Sequence, residues 1–332
     1  MGILTKIKKI INTPKNIYTI LTMQNEIFNK IRVVTDNLVI DSHYKKFGIY
    51  ISSDCSKLKS SVCRMQDLLD YRNWVNIMGK NLTHPNLPNS DCVMNRKAWE
   101  YVFITQALYE RGMLAKGKKG LGFAVGKEPL PSLFAKYGCE IIATDIDSST
   151  EIAQEWINKN QHGANSLENL YKADLCDKDT FNKNVSFLAL DMNAIQNDIT
   201  GFDFCWSSCA FEHLGSINNG RQFIYNMMKC LKPGGIAIHT TEYNLSSYSG
   251  GLDNSWSVIF GRSDFEEIRN TLTEQGHHIE DFDFRLGNFN EENYIAYPPY
   301  DKPHFKLYIE DEDGTGYIST SFALIIQKGA AS

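Results

Sequence analysis

The reading of the chain turns on Gly120-Leu121-Gly122-Phe123-Ala124-Val125-Gly126-Lys127-Glu128-Pro129-Leu130-Pro131, with Gly138-Cys139-Glu140-Ile141-Ile142-Ala143-Thr144-Asp145 a short helix further on. A strand over 120–125 runs into a tight turn, a helix follows near 129–137, and a second strand over 140–145 ends on an acid about twenty residues after the glycine. That is the opening unit of an α/β sheet that binds a nucleoside. A carboxylate at the end of the second strand suits a ribose, because it can accept from both hydroxyls.

The turn also narrows the nucleoside. A dinucleotide rests its pyrophosphate on a helix N-terminus, which needs free N–H donors and no anion nearby. Here Glu128 sits in the turn, Pro129 and Pro131 carry no N–H, and the GxGxxG spacing is missing. An acidic, donor-poor turn fits a sulfonium nucleoside, S-adenosylmethionine (SAM), better than NAD. Ala124, Val125, Gly126 and Glu128 are therefore the expected contacts to its methionine end, and Asp145 and Ile146 those to its ribose.

Working outward, strands at 186–190, 202–207, 235–241, 279–285 and 317–327 alternate with helices near 149–159, 218–231 and 263–275, the rhythm of a doubly wound sheet. The third strand ends on Asp191-Met192, where the acid can accept from an adenine amino group and the Met side chain cover the ring. The competing reading of Asp191 is a helix N-cap. The fourth strand leads from Phe202 through Ser207 to Glu212-His213, placing Ser207 beside the cofactor and the last pair in the crevice at the strand ends, the competing reading being that Glu212 caps the following helix and His213 packs. Leu231-Lys232-Pro233-Gly234-Gly235 reads as a type II turn feeding the fifth strand, with Glu242 and Tyr243 at its far end and His239 a core residue within it. Tyr294 to Pro303 is too rich in proline for a helix and reads as a wall over the acceptor, with Tyr300 and the neighbouring His304 as contacts.

Upstream, residues 1–40 read as two helices. The first is basic; the second carries Ile17, Ile20, Leu21, Phe28, Ile31 and Val34 close to heptad spacing. Packing on the protein's own body, homo-oligomerisation and peripheral membrane contact are all open to it. Residues 41–95 read as irregular, up to a helix starting at Ser90–Asp91 and stopping at Gly112. The division is thus 1–95 (helical N-terminal region), 96–327 (catalytic domain) and 328–332 (tail).

Composition excludes several classes. The 332 residues carry a net charge of -5 at pH 7, which argues against nucleic acid as a partner. Eight cysteines without a secretory leader or a CxxC pair read as reduced thiols in a cytoplasmic protein. No apolar run reaches the length of about 20 residues that a membrane span requires.

Together these pieces resemble the class I SAM-dependent methyltransferases from about residue 96 to 327. The glycine turn with Asp145, Asp191-Met192, Phe202 to His213 and Leu231 to Gly235 carry the resemblance. It looks closest to bacterial-type enzymes of surface-polysaccharide contexts, through Lys97-Ala98-Trp99-Glu100, Gly126 to Pro131, Trp206 to His213 and His239-Thr240-Thr241-Glu242. The resemblance implies a Rossmann-like, seven-stranded, mostly parallel α/β sheet with an antiparallel last strand. It also implies methyl transfer, with O-methylation of a carbohydrate or glycoconjugate as the expected reaction. The chain departs from the family where Ala124 and Glu128 stand at the usual first and third glycines.

His213 is the expected base, oriented by Glu212, with Glu242 in support; imidazole has a suitable reference pKa. A divalent metal held by Glu212, His213 and Glu242 is conceivable but not favoured, so no metal is expected. The alternatives are a catalytically degenerate fold that binds SAM or a partner, and an NAD(P)-dependent oxidoreductase.

Overall fold

The computed structural model describes residues 57–82, 94–159, 161–163, 166–246, 250–253, 257–300, 302–311 and 313–330. The expected helices of residues 1–40 and the Ser90–Asp91 cap lie outside these residues. All that follows belongs to a unit that begins at Lys57.

In chain order the strands are β1 (Ser60–Val62), β2 (Lys119–Phe123), β3 (Glu140–Asp145), β4 (Val185–Ala189), β5 (Phe202–Ser208), β6 (Leu231–Asn244), β7 (His278–Ile279), β8 (Phe282–Asp283), β9 (Ile295–Ala296), β10 (Lys306–Glu310) and β11 (Gly316–Gln327). They form one sheet with the path β4-β3-β2-β5-β6-β11-β1-β8. Pairing is parallel from β4 across to β6, and β11 then runs antiparallel to β6 from Ser319↔Asn244 to Gln327↔Ile236. This is the Rossmann-like sheet expected, with its antiparallel last strand, but the described residues form eleven strands and not seven, because short strands pair beyond and along β11.

The path puts the ends of β3, β2, β5 and β6 side by side, the crevice in which such sheets bind ligands. Two glycines on β2 allow its neighbour to close on it. A Cβ on Gly120 would meet the Phe204 ring at 2.4 Å, and one on Gly122 would meet Trp206 at 2.4 Å. Phe134, on the helix after the glycine turn, then packs edge-on against Trp206 with ring centroids 5.1 Å apart. Separate clusters of buried apolar residues cover the two faces of the sheet, so the inner strands are apolar on both sides.

Lys57–Leu82 were grouped with an irregular N-terminal region in the sequence, yet they are built into this unit. β1 pairs with β11 through Ser61↔Ala323 and with β8 through Ser60↔Phe282, separating β8 from the last strand. Met65–Asp70 (α1) and Arg72–Met78 (α2) follow, and Asp67 on α1 accepts the Trp99 indole N–H at 2.7 Å. Helices of six and seven residues are too short to show a periodicity, which is why pattern reading passes over them.

Arg96–Glu110 (α3) brings Trp99, Val102 and Phe103 into the core. Its cap is Asn95, whose side chain accepts the Ala98 N–H at 2.9 Å, so the helix starts later than the Ser90–Asp91 pair suggested; it ends, as expected, just before Gly112 at φ +69°. Leu130–Lys136 (α4), Glu151–Asn158 (α5), Leu167–Leu170 (α6), Lys178–Asn184 (α7), Ile217–Met227 (α8), Arg262–Glu274 (α9) and Asn290–Asn293 (α10) complete the described helices. Among the described residues no helix is long and apolar enough to cross a membrane.

Candidate active site at the carboxyl ends of the strands

Two polar regions meet at the strand ends. The first surrounds the turn after β2. Gly126 (φ +54°) donates its N–H to Asp145 Oδ2 at 3.0 Å, and Ile146 donates its N–H to Asp145 Oδ1 at 2.9 Å. Burial pushes the Asp145 carboxyl up, while the nearby His162 and the two backbone N–H groups push it down. Each oxygen keeps a further lone pair for a hydroxyl. Glu128 is 5% exposed and accepts the Trp206 indole N–H at 2.6 Å. Burial drives its carboxyl up to about 8 against that hydrogen bond, so at neutral pH it is largely protonated.

Asp191 behaves partly as its competing reading suggested. It is exposed, its Oδ1 accepts the Asn193 N–H at 2.8 Å and its carbonyl takes the Ala194 N–H, so it caps the turn after β4. Met192 beside it is buried at 7% exposure.

The second region lies where β5, β6 and β11 end beneath α3. Arg96 Nη1 donates to Glu242 Oε1 at 2.5 Å and to Ser321 Oγ at 3.2 Å. Lys97 Nζ lies 2.6 Å from Glu100 Oε2, which also accepts Ser208 Oγ at 2.9 Å. Glu100 Oε1 accepts Ser321 Oγ at 2.6 Å and the Cys209 thiol at 3.0 Å. Ser319 Oγ donates to Glu242 Oε2. Burial acts against the Glu100 charge, but Lys97 and Arg96 outweigh it and hold the group down at about 2. Burial likewise opposes the Arg96 and Lys97 charges, and the carboxylates reverse it, so both stay cationic.

Glu212 is the exception in this region. It is fully buried; Oε2 accepts the Thr241 hydroxyl at 3.0 Å, while Oε1 has no hydrogen-bond partner among the described residues. Burial, and then the negative Glu242, push its carboxyl up to about 8. Unlike Glu100 and Glu242, it has no cation on its oxygens.

Among the described residues three that are not glycine have positive φ: Ala124 (47°), Cys209 (47°) and Tyr300 (57°). Such backbone costs on the order of 1–2 kcal/mol each, and strain of this kind concentrates at functional sites. Here one strained residue sits in the glycine turn and two border the polar network. Tyr300 donates its hydroxyl to Tyr308 O at 2.8 Å; burial and then the Glu242 charge raise it. His304 accepts the Arg96 N–H on its carbonyl at 2.9 Å, and burial and Arg96 hold its imidazole down at about 4. Both expected wall residues therefore stand at this network.

Four sequence-derived assignments change. His213 and Glu212 do not act as a pair: they lie in the 3₁₀ turn Phe211–His213, where successive side chains point about a third of a turn apart. Glu212 goes to Thr241, and the His213 ring packs on Trp156 of α5 with centroids 4.6 Å apart. The metal trio Glu212, His213 and Glu242 is not assembled either; the group within reach of both carboxylates is Cys209, with Arg96 already in the space between Cys209 and Glu242. Tyr243 cannot share the crevice with Glu242, because neighbours on a strand face opposite ways; its ring packs on Phe265, Phe284 and Phe322. The same alternation turns Ser207 inward, where its hydroxyl bonds His239 Nδ1 at 2.8 Å, while Ser208 joins the network. His239 is a core residue, as expected, with its imidazole lowered by burial to about 3.

Arg96, Glu100, Cys209, Ser319 and Ser321 were given no role in the site from the sequence, although Glu100 and Cys209 lie in stretches that carry the resemblance. A usable signal existed for two of them: Arg96 and Glu100 are charged positions four apart at the start of a helix whose middle is apolar, with Lys97 beside them.

Residues 121–239 match the family model of the methyltransferase domain. No curated protein matches the chain. Among solved structures, the methyltransferase domain of bacterial CtHen1 is 15% identical, covering 70% of this chain and 100% of its own, with TM-score 0.40. A TehB-like SAM-dependent methyltransferase from Corynebacterium glutamicum is 15% identical over 69% of this chain and 86% of its own, at 0.35. Phosphoethanolamine N-methyltransferase 2 of Haemonchus contortus, in complex with SAM, is 18% identical over 66% and 46%, at 0.37. Residues 121–239 thus carry a methyltransferase domain, and the cofactor of such a domain is SAM. The first region fits that group: it offers an anchored carboxylate at a strand end, a turn without phosphate donors and a buried methionine beyond it.

Proposed function

We propose that the protein methylates a hydroxyl of a carbohydrate or glycoconjugate, with Glu212 taking the proton. The observation that carries this reading is the unpartnered Oε1 of Glu212, buried beside Glu242 and Cys209 at the ends of β5 and β6. SAM supplies an electrophilic methyl group and leaves as a neutral thioether. Asp145 would bind its ribose, with Glu128 and Gly126 beside the methionine end.

Most of the rate then comes from alignment and exclusion of water. A base in contact adds about 10²–10⁴-fold. Glu212 has the proton affinity for that role because nothing cationic bonds it, whereas Arg96 and Lys97 keep Glu242 and Glu100 engaged as positioning groups. A site rich in hydroxyls and carboxylates suits a polyhydroxylated acceptor, and the resemblance to enzymes of surface-polysaccharide contexts supports the same choice.

The test is release of S-adenosylhomocysteine with nucleotide sugars, free glycans and small amines, phosphoethanolamine included, with mass spectrometry of the products. Methyl ethers on sugars are expected. Methylation confined to amines would overturn the reading.

A further inference from the structure

Beyond the strand ends, one short segment lies directly against the glycine turn. Gln161–Gly163 follows α5, and its backbone touches Gly126 twice: a Cβ on Gly126 would meet Gln161 O at 2.4 Å, and a Cβ on Gly163 would meet Gly126 O at 2.6 Å. Both neighbours are backbone, so both positions need glycine for the two stretches to cross this closely. The segment is fastened at each end. Gln161 and His162 donate N–H groups to Trp156 O at 2.9 and 3.3 Å, and Asn169 Nδ2 donates to Gly163 O at 2.8 Å.

His162 is 3% exposed. Its Nε2 lies 2.9 Å from Ile146 O, which can only accept, so that nitrogen carries the proton. The same nitrogen stands 3.5 Å from Asp145 Oδ1. That N–H is given to Ile146 O, so the ring ties the residue after Asp145 to the segment while its nitrogen stands against the carboxylate.

We infer that Gln161–Gly163 is a wall of the cofactor cleft and that His162 is a positioning residue for the ribose. By holding Ile146 O and packing beside Oδ1, it fixes the strand end and the place of the Asp145 carboxylate, so that the lone pairs left by the two backbone donors are presented to the ribose hydroxyls. Trp156 supports both His213 and the segment, which links the turn after β5 to this wall. The inference rests on SAM as cofactor and is independent of the acceptor.

The experiment is isothermal titration of the full chain with S-adenosylhomocysteine and with its 2′-deoxy analogue. His162→Ala should weaken S-adenosylhomocysteine binding about 5–20-fold, the loss of one hydrogen bond and its ordering. It should weaken the 2′-deoxy analogue less, so that the preference for the natural ribose shrinks; His162→Gln, which keeps an N–H donor, should restore part of it. Gly163→Ala should weaken both ligands, because its methyl group lifts the wall. An unchanged ribose preference in His162→Ala would overturn the positioning role. Tighter binding by Gly163→Ala would overturn the wall, showing the segment to be a plug. Failure of the unaltered chain to bind S-adenosylhomocysteine would instead count against the cofactor.

Discussion

The region around Asp145, proposed for the cofactor, and the region around Glu242, proposed for the acceptor, are built from carboxylates in opposite ways. Around Asp145 the partners are backbone N–H groups close in sequence: Ile146 is the next residue and Gly126 is 19 positions away. Around Glu100 and Glu242 the partners are side chains, and apart from Lys97 and Arg96 on the helix of Glu100 they come from distant parts of the chain, with Arg96 146 positions from Glu242 and Ser321 221 from Glu100. A site made of backbone donors is specified once the sheet forms. A site made of side-chain pairs depends on α3 and β11 arriving correctly, and then one substitution can leave a buried charge unpaired. The first region is suited to hold a constant cofactor, the second to be altered for a particular acceptor.

The largest effect that would sharpen this contrast is on catalysis. Glu212→Gln keeps the volume and the Thr241 acceptor but cannot take a proton. We expect kcat to fall about 10²–10⁴-fold with SAM affinity unchanged. In the unaltered protein kcat should climb with pH toward a plateau above about 8, as Glu212 ionises, and Glu212→Gln should lose that rise. A pH profile that survives the substitution would remove Glu212 from the chemistry.

Next comes stability. Arg96→Ala takes the cation from Glu242, whose side chain is 7% exposed, and we expect a cost of about 3–5 kcal/mol by urea denaturation. Most of it is the penalty of a buried unpaired carboxylate, so Glu242→Gln added to Arg96→Ala should return part of the loss. If the single variant costs under about 1 kcal/mol, the pair behaves as a surface ion pair and the contrast weakens.

Within the cofactor region the two acids should differ. Asp145→Ala removes a buried acceptor, and titration should show SAM binding weakened by about 1.5–3 kcal/mol. Asp191→Ala should cost less, because Asp191 is exposed and one oxygen already caps its own turn. Equal losses would mean that Asp191 grips the cofactor as firmly as Asp145.

The same contrast explains what could be read from the sequence. Strand periodicity, the turn at Gly126 and the acid nineteen positions on are local signals, and they gave the sheet and Asp145. The network is long-range: nothing near Ser321 announces Glu100, and Cys209 looks like a small core residue until its φ of 47° and its thiol contact are known. Direction was the second gap. Reading Ser207, Tyr243 and His213 as site residues placed each within one position of a residue that does face this region, namely Ser208, Glu242 and Glu212. Position along a strand is visible in sequence; the face a side chain takes at a strand end or in a 3₁₀ turn depends on where the core closes.

The smallest expected effect concerns His213, and it tests the division between the regions directly. Its ring packs at 4.6 Å on Trp156, the residue whose carbonyl holds Gln161 and His162, so it belongs with the cofactor wall and not with Glu212. His213→Ala should leave kcat within a few-fold and weaken SAM binding slightly, by less than about 1 kcal/mol, through lost packing on the indole. His213→Phe, which keeps an aromatic ring but no titratable nitrogen, should bind SAM nearly as the unaltered chain does and keep its kcat. A fall in kcat of about 10²-fold in both variants, with SAM affinity intact, would restore His213 as the base and make Glu212 a structural acid.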